Sequence, residues 1–192
     1  MEIVDIFVVV NDSLYSVKYD NENGSAFQSL FNRWQDVEHL EDFFENNVDD
    51  LQSGFYGNIT VEEAIMRTID ESAKFEEIIL NAAKAGKTKD SESLGEVVFT
   101  DLHDGNYSHI HIQSKAYGPK HHSWLRVYAI RVSDNLYFVS GGAIKLTEVM
   151  QGKEHLELEL SKLEATASHL KEIGLIDEGD LGFIEIGKYE ED

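Results

Sequence analysis

Residues 107–147, YSHIHIQSKAYGPKHHSWLRVYAIRVSDNLYFVSGGAIKLT, decide the expected fold because they contain three successive strand patterns. The patterns cover roughly residues 107–115, 123–132 and 136–147, and in each of them side chains of different character alternate with period two. A tight turn is expected at residues 134–135, so the last two strands should pair antiparallel. The stretch therefore predicts an antiparallel meander.

The same stretch is basic in a chain that is otherwise strongly acidic. The 192 residues include 37 Asp and Glu against 16 Lys and Arg, a formal net charge of −21. Within residues 107–147 the single acid is Asp134, and the local balance is +4, so the rest of the chain carries −25. The cations are Lys115, Lys120, Arg126, Arg131 and Lys145. A polar outer face is ordinary for a one-sided antiparallel sheet, but it does not explain the lack of acids, which indicates a surface that faces an anion.

Alternation along the strands separates the two faces of the predicted sheet. The aliphatic face, with Leu125, Val127 and Ala129, is expected to pack on the helices. Arg131 is expected to pair with an acid on a helix. The opposite face is expected to be open and to gather His109, His111, Trp124, Arg126, Tyr128 and Lys145. Lys115 is expected on the same face as His109 and His111.

An N-terminal hairpin and a helical region precede the meander. Apolar runs at residues 3–10 and 14–19 flank a turn-forming segment, which is typical of a hairpin. Ser25 is a plausible cap for the helical spacing that follows. Residues 27–51 form either one bent helix or two helices, the second capped by Asp36.

Two further helices complete the expected fold. Thr60 and Glu63 have the spacing of a capping box, and Gly86 is a natural end for the helix that they start. A final helix is predicted over residues 154–173, and the FIEIG segment is expected to add a short strand. Gly141 and Gly142 are expected to mark a β-bulge or a bend in the last strand of the meander.

This order of elements predicts a single α+β domain over residues 1–192. Its expected parts are the hairpin and helices in residues 1–93, the sheet and closing helix in 94–173, and the short strand and acidic tail in 174–192.

Composition limits the classes of function. The lack of cysteine excludes disulfide and thiolate chemistry and is typical of a reducing cytoplasm, which is the expected location. No apolar run approaches the ~18 residues of a membrane span, so a membrane partner is not expected. His109 and His111 could ligate a metal ion, but no third ligand has suitable spacing, so no metal or cofactor is expected.

The segments LHDGNYSHIHIQ, LRVYAIRV and YFVSGGAIKLTEVM, followed by a helix with an acidic start, resemble the RelE/HigB superfamily of toxin–antitoxin ribonucleases. The resemblance covers residues 94–173 and implies a RelE-like fold, in which an antiparallel sheet packs on N-terminal helices and a C-terminal helix follows. The matching positions are Leu102, Gly105, Tyr107, Arg126, Tyr128, Lys145 and Thr147.

The chain also departs from the family pattern. These toxins are small and basic, whereas this chain is larger and acidic. Ser108 and Ile110 stand at or near the places where the family carries Glu and Arg. Only Lys188 and Tyr189 are available where the family has its C-terminal catalytic residue.

The resemblance implies RNA cleavage without a metal, in which the ribose 2′-OH attacks the adjacent phosphate and leaves a 2′,3′-cyclic phosphate. It assigns phosphate binding to Arg126, a charge that Lys145 can share. His109, His111, His121 and His122 are candidates for proton transfer because imidazole titrates near neutrality. The candidate substrate-binding residues, some of them aromatic rings that can stack on bases, are Lys115, His121, His122, Trp124 and Tyr128.

Three functions stay open. The first is a toxin-like endoribonuclease that acts on free or ribosome-bound RNA and is held inactive by an antitoxin, as the family-like Arg126, Tyr128 and Lys145 indicate. The second is a non-catalytic module on the same scaffold whose acidic helical faces bind a basic partner protein, as the net charge and the missing catalytic residue indicate. A metal hydrolase built on the histidines is a distant third.

Overall fold

The computed structural model describes residues 1–86, 92–102, 111–147, 152–184 and 186. The predicted N-terminal hairpin is confirmed: strands β1 (Ile3–Val10) and β2 (Leu14–Tyr19) pair antiparallel. The backbone N–H of Ser13 donates to the carbonyl O of Val10 at 3.1 Å and closes the turn between them.

The helical region after the hairpin consists of separate helices: α1 (Ala26–Gln35), α2 (Val37–Asn46) and the short α3 (Val48–Leu51). The first break occurs at Asp36, whose backbone is extended and whose carboxylate accepts the N–H of His39 at 3.2 Å. This cap satisfies a free N–H at the start of α2, so the break predicted at Asp36 is confirmed, while the further break before α3 was not predicted.

The next helix, α4 (Val61–Ala85), begins at the predicted capping box. Oγ1 of Thr60 accepts the N–H of Glu63 at 3.2 Å, and Oε2 of Glu63 accepts the N–H of Thr60 at 2.9 Å. Gly86 ends the helix as predicted. None of the helices in the described part of the chain is long and apolar enough to cross a membrane.

The sequence did not predict two short elements, α5 (Leu94–Val97) and β3 (Phe99–Asp101), because three or four residues are too few to show a period. The closing helix α6 (Glu154–Glu172) agrees with the prediction. The strand expected at FIEIG is not found within the described residues: Phe183 ends a 3-10 helix (Glu178–Phe183), while Glu185 and Gly187 lie outside those residues.

The remaining strands, β4 (Ile112–Tyr117), β5 (Leu125–Ser133) and β6 (Leu136–Ile144), form the predicted meander, with antiparallel pairing and a turn at residues 134–135. The six-stranded sheet has the order β1-β2-β6-β5-β4-β3, and β2 runs parallel to β6. The N-terminal hairpin thus joins the meander in one sheet, which gives an α+β fold.

Both faces of the sheet are covered, so the predicted open polar face is wrong. Leu125, Val127 and Ala129 pack with α1, α2 and α4, as expected. On the other face, α6 covers Tyr128 and Ile130. The side chains of α6 that do so form a leucine stripe, Leu156, Leu163 and Leu170. Residues 136–139 of β6 form a continuous apolar run, which is typical of a strand that is buried on both sides.

The predicted bulge in the last strand of the meander is confirmed. Tyr128 pairs with Gly141 but the next residue, Ala129, pairs with Val139, so Ser140 is the extra residue. Beside the bulge, Gly141 lies against Glu159 and Gly142 lies against Leu30 of α1, so the main chain of β6 is close to both helical layers.

We expect Gly142→Ala to lower the free energy of unfolding by about 1–3 kcal/mol, the usual cost of overpacking. An added Cβ would lie 2.6 Å from Cδ2 of Leu30 and would overlap the carbonyl O of Arg126. Urea denaturation measures the change. Gly182→Ala is the matched control, since its Cβ would meet no atom within 4 Å. Equal stability of the two variants would contradict the close packing at Gly142.

Candidate anion-binding site

The candidate site lies at the end of the sheet where β4 and β5 are connected. Tyr117 stands opposite Arg126 in the β4–β5 ladder, and Lys115 stands opposite Tyr128. Residues that are directly opposite each other share a face, so these four side chains project from the face that α6 covers. The face predicted for Lys115, Arg126 and Tyr128 is therefore confirmed.

Arg126 is held by its own main-chain surroundings. Its Nη1 donates to the carbonyl oxygens of Ser123 and Leu125, each at 2.7 Å. The guanidinium carbon lies 4.2 Å from the centroid of the Tyr117 ring, within the range of a cation–π contact. Burial lowers the pKa of Arg126, but a guanidinium stays charged in proteins. The two carbonyl bonds thus orient the charge without neutralising it.

The charge of this site is not paired with acids in the described part of the chain, where no carboxylate lies within 4.0 Å of the charged nitrogens of Arg126 or Lys115. Lys120 differs, since its Nζ lies 3.2 Å from Oδ2 of Asp70.

The partner expected for Arg131 was an acid on a helix, and this prediction is wrong. Arg131 pairs with the acids nearest to it in the sheet, Asp101 on β3 at 3.5 Å and Asp134 in the turn.

Two tyrosines that the sequence analysis missed complete the surroundings of Arg126. Tyr117 is 47% exposed, and the Nζ of Lys115 lies 5.6 Å from its ring centroid. The Tyr56 hydroxyl donates to the carbonyl O of Lys145 at 2.8 Å, and Tyr56 opposes the lowering of the pKa of Arg126 by burial. Continuing the alternation of β4 by two residues predicts Tyr117. Tyr56 has no local signal because it lies in an irregular segment far away in the sequence.

Lys145 belongs to this end of the sheet through its main chain. It directly follows β6, and its N–H donates to the carbonyl O of Trp124 at 2.8 Å. Its carbonyl O accepts the Tyr56 hydroxyl. The structure therefore brings Lys145 close to the strand that carries Arg126, as the sequence predicted.

His121 and His122 are exposed on the turn that joins Tyr117 to β5. Their ring centroids are 4.1 Å apart. Nη2 of Arg67, on α4, donates to the carbonyl O of His122 at 3.1 Å and fixes the turn against that helix. Two imidazoles are thus available to solvent at the same end of the sheet as Arg126.

His111 lies elsewhere, so its expected convergence with Arg126 is wrong. It precedes Tyr117 by six residues, which places it roughly 20 Å away along the strand. His111 is buried, its Nε2 donates to the carbonyl O of Leu175 at 2.7 Å, and burial lowers its pKa. Alternation gives only the face of a side chain, and the prediction did not use the number of residues, which gives the distance along the strand. His109 lies outside the described residues, as do Gly105 and Tyr107 of the family-like motif.

Trp124 and Tyr128 were expected to be exposed, and both are buried. Trp124 directly precedes β5, so the alternation of that strand does not apply to it. Its ring packs in the core, and its Nε1 donates to Oγ1 of Thr68 at 3.0 Å. Tyr128 lies under α6, where burial raises its pKa to about 12. Stacking on an RNA base requires an exposed ring face, which neither residue provides in this structure.

The arrangement can bind an anion through Arg126 and Lys115 and can present imidazole and tyrosine groups beside it. Across the described ranges, no group of three or more His, Asp or Glu side chains is placed to hold a metal ion. The catalytic and binding roles that the sequence analysis assigned stay predictions.

Among known proteins, no family model, no curated protein and no solved structure matches this chain.

Proposed function

We propose that the chain is a divergent RelE/HigB-like endoribonuclease that cleaves RNA without a metal ion. The observation that carries this proposal is the state of Arg126. Its guanidinium is half-buried, oriented by two carbonyl groups, laid against the half-exposed ring of Tyr117 and faced by no carboxylate of the described residues. The order of elements, with helices before an antiparallel meander and a closing helix after it, also supports the RelE-like comparison.

The chemistry of Arg126 suits a phosphate. Its planar fork of N–H donors matches two phosphate oxygens, and such charge-assisted bonds are about twice as strong as neutral ones. A neighbouring carboxylate would compete with the phosphate for these donors. The ammonium of Lys115, 5.6 Å from the centroid of the Tyr117 ring, supplies a second charge at the site.

Cleavage needs a base, an acid and charge stabilisation. In the proposed reaction the 2′-oxygen attacks phosphorus while one imidazole removes its proton, and a second, protonated imidazole gives a proton to the departing 5′-oxygen. The exposed pair His121 and His122 is assigned to these steps, each of which is worth ~10²–10⁴-fold in rate. Arg126 stabilises the charge that develops on the phosphoryl oxygens. An unpaired base can stack on the outer face of Tyr117.

We expect the wild-type protein, induced in a bacterial host, to arrest growth and to produce RNA fragments with 2′,3′-cyclic phosphate and 5′-hydroxyl ends. Mapping of RNA ends before and after induction measures the effect, and purified protein should give the same ends in the presence of a chelator. An antitoxin is the proposed partner that would keep such an activity in check. Unchanged RNA ends both in cells and in vitro would refute catalysis.

The burial of His111, Trp124 and Tyr128 favours a second candidate, a non-catalytic interaction module. In that function these three residues, which the sequence analysis expected to contact substrate or to transfer protons, stabilise the fold instead. The acidic helical faces then bind a basic partner protein. Affinity purification that recovers one stoichiometric protein partner, from a strain whose RNA stays intact, would support this candidate against the nuclease.

A further inference from the structure

The turn between β4 and β5, residues 118–124, is fixed to α4 by one buried carboxylate. Glu71 lies within α4, and its side chain is fully buried. Its Oε2 accepts the hydroxyl of Ser123 at 2.6 Å. Its Oε1 accepts Nε of Arg67 at 2.7 Å, and Nη2 of the same guanidinium donates to the carbonyl O of His122. Glu71 thus holds two consecutive residues of the turn.

The held residues are those that shape the candidate site. The carbonyl O of Ser123 is one of the two acceptors that orient the guanidinium of Arg126. Ser123 is buried, and its Oγ also accepts the N–H of Leu125 at 3.2 Å, so its position is fixed from two sides. The exposed His121 and His122 directly precede it. A displacement of Ser123 therefore changes the direction of Arg126.

The backbone of His122 is in the left-handed region, with φ at 59°. A residue with a Cβ is strained there, so its surroundings have to hold it in place. The bond from Arg67 to the carbonyl O of His122, at 3.1 Å, is one such contact. Arg67 is in turn fixed by Glu71 and by the ring of Trp124, whose centroid lies 4.1 Å from the guanidinium carbon. The strain is thus maintained at a turn that carries two imidazoles of the site.

Stability does not by itself explain a carboxylate at this place. The desolvation of a buried ion pair offsets much of its attraction, and apolar residues of similar volume often give equal stability. Apolar residues cannot supply the directional hydrogen bonds that reach Ser123 and, through Arg67, the main chain of His122. The charge of Glu71 is also compensated, since Nζ of Lys120 lies 3.8 Å from its Oε1 in addition to the bond from Arg67.

We propose that Glu71 is a positioning residue of the candidate anion-binding site. Through Ser123 it fixes the direction of Arg126, and through Arg67 it fixes the main chain of His122, without contacting the substrate itself. This inference rests on the proposed function, because it takes a phosphate as the ligand of Arg126. It also predicts an effect opposite to that of simple electrostatics. Loss of a negative charge near a bound phosphate should tighten binding, whereas loss of this link should weaken it.

The probe is a fluorescent single-stranded 2′-O-methyl RNA, which has no 2′-OH to attack phosphorus, so its binding does not depend on cleavage. Anisotropy at several salt concentrations measures the affinity. Glu71→Gln should weaken binding about tenfold, the order of one hydrogen bond to a charged group. It should also reduce the slope of log affinity against log salt concentration, as the loss of a phosphate contact does, although no cation is removed.

Asp70→Asn is the matched control, because it removes the same charge from the neighbouring residue. Asp70 is exposed and contacts Lys120 of the same turn at 3.2 Å. This variant should bind the probe as tightly as the wild-type protein or more tightly. A loss of affinity in Asp70→Asn equal to that in Glu71→Gln would overturn the proposal.

Ser123→Ala cuts the same link without a change in charge, and it keeps the test valid where Glu71→Gln fails to fold. It should also weaken binding at an unchanged number of cations. Wild-type or tighter binding of the probe by a folded Glu71→Gln or Ser123→Ala protein would overturn the proposal, as would a lack of binding by the wild-type protein.

Cleavage of unmodified RNA, measured in parallel, separates this inference from the proposed function. Misplaced catalytic groups should lower kcat about 10–10²-fold in Glu71→Gln. RNA that the wild-type protein leaves intact, together with the predicted order of probe affinities, would refute catalysis and support the positioning of Arg126. Cleavage by Glu71→Gln at the wild-type rate would instead overturn the positioning role and leave the nuclease proposal standing.

Discussion

Arg126→Ala is expected to reduce the rate of RNA cleavage about 10²–10³-fold, the usual cost of removing one donor that stabilises transition-state charge. The alanine variant loses the only guanidinium that the structure holds against Tyr117 within its described residues. Arg126→Lys should recover part of the rate, because an ammonium keeps the charge but not the two-pronged donor geometry. Initial rates on a fluorescent oligonucleotide measure the effect.

Arg131→Ala is the matched control, since it removes the same charge from the same strand. Arg131 is paired with Asp101 and Asp134, so its loss should leave the rate unchanged. The loss of Arg126 should also reduce the slope of log affinity against log salt concentration by about 0.7, the value for one phosphate contact on a single strand. Equal activities of the two alanine variants, with unchanged Tm values, would refute the role of Arg126.

The strands and their faces could be predicted because side-chain alternation is a local property of the backbone. Lys115, Arg126 and Tyr128 share a face as predicted, and the turn at residues 134–135 lies where the sequence places it. The same locality explains the exact helix start at Thr60, since a capping box needs only residues within one turn.

The covering of the second face could not be predicted in this way. The sequence shows a leucine stripe on α6 and an alternating pattern on β5, but neither pattern states that the two pack together. Tyr128 and Arg126 look equally polar in the sequence, yet α6 buries Tyr128 while Arg126 stays half-exposed at the end of the sheet. Exposure depends on where α6 ends relative to each strand position, which is a tertiary property.

The residues of the candidate site also divide into those that a local sequence pattern predicts and those that only the tertiary fold brings in. Arg126 and the neighbouring Lys115 came from the strand pattern, whereas Tyr56 reaches Arg126 from a segment 70 residues earlier. His111 was placed on the correct face but at the wrong end of the strand. The part of a site that one strand supplies can be predicted from sequence, and the part that the fold brings in cannot.

Trp124→Ala is expected to lower the free energy of unfolding by about 3–5 kcal/mol, the usual cost of truncating a buried aromatic ring. The ring is fully buried, lies 5.8 Å from Phe44 and 5.3 Å from Tyr56, and carries the guanidinium of Arg67 at 4.1 Å. The substitution also leaves Oγ1 of Thr68 without the indole donor, which adds the cost of a lost buried hydrogen bond. Urea denaturation followed by circular dichroism measures the change.

The control for Trp124→Ala is Phe183→Ala, because Phe183 is 91% exposed and surface changes usually stay within about 0.5 kcal/mol. Trp124→Phe should fall between the two, since it keeps most of the apolar area but loses the bond to Thr68. A Trp124→Ala variant as stable as the Phe183 control would place the ring at the surface. In that case the ring could stack on RNA, as the sequence pattern alone predicts. A large loss of stability together with unchanged RNA affinity would instead assign Trp124 to the core, in agreement with base stacking on the exposed Tyr117.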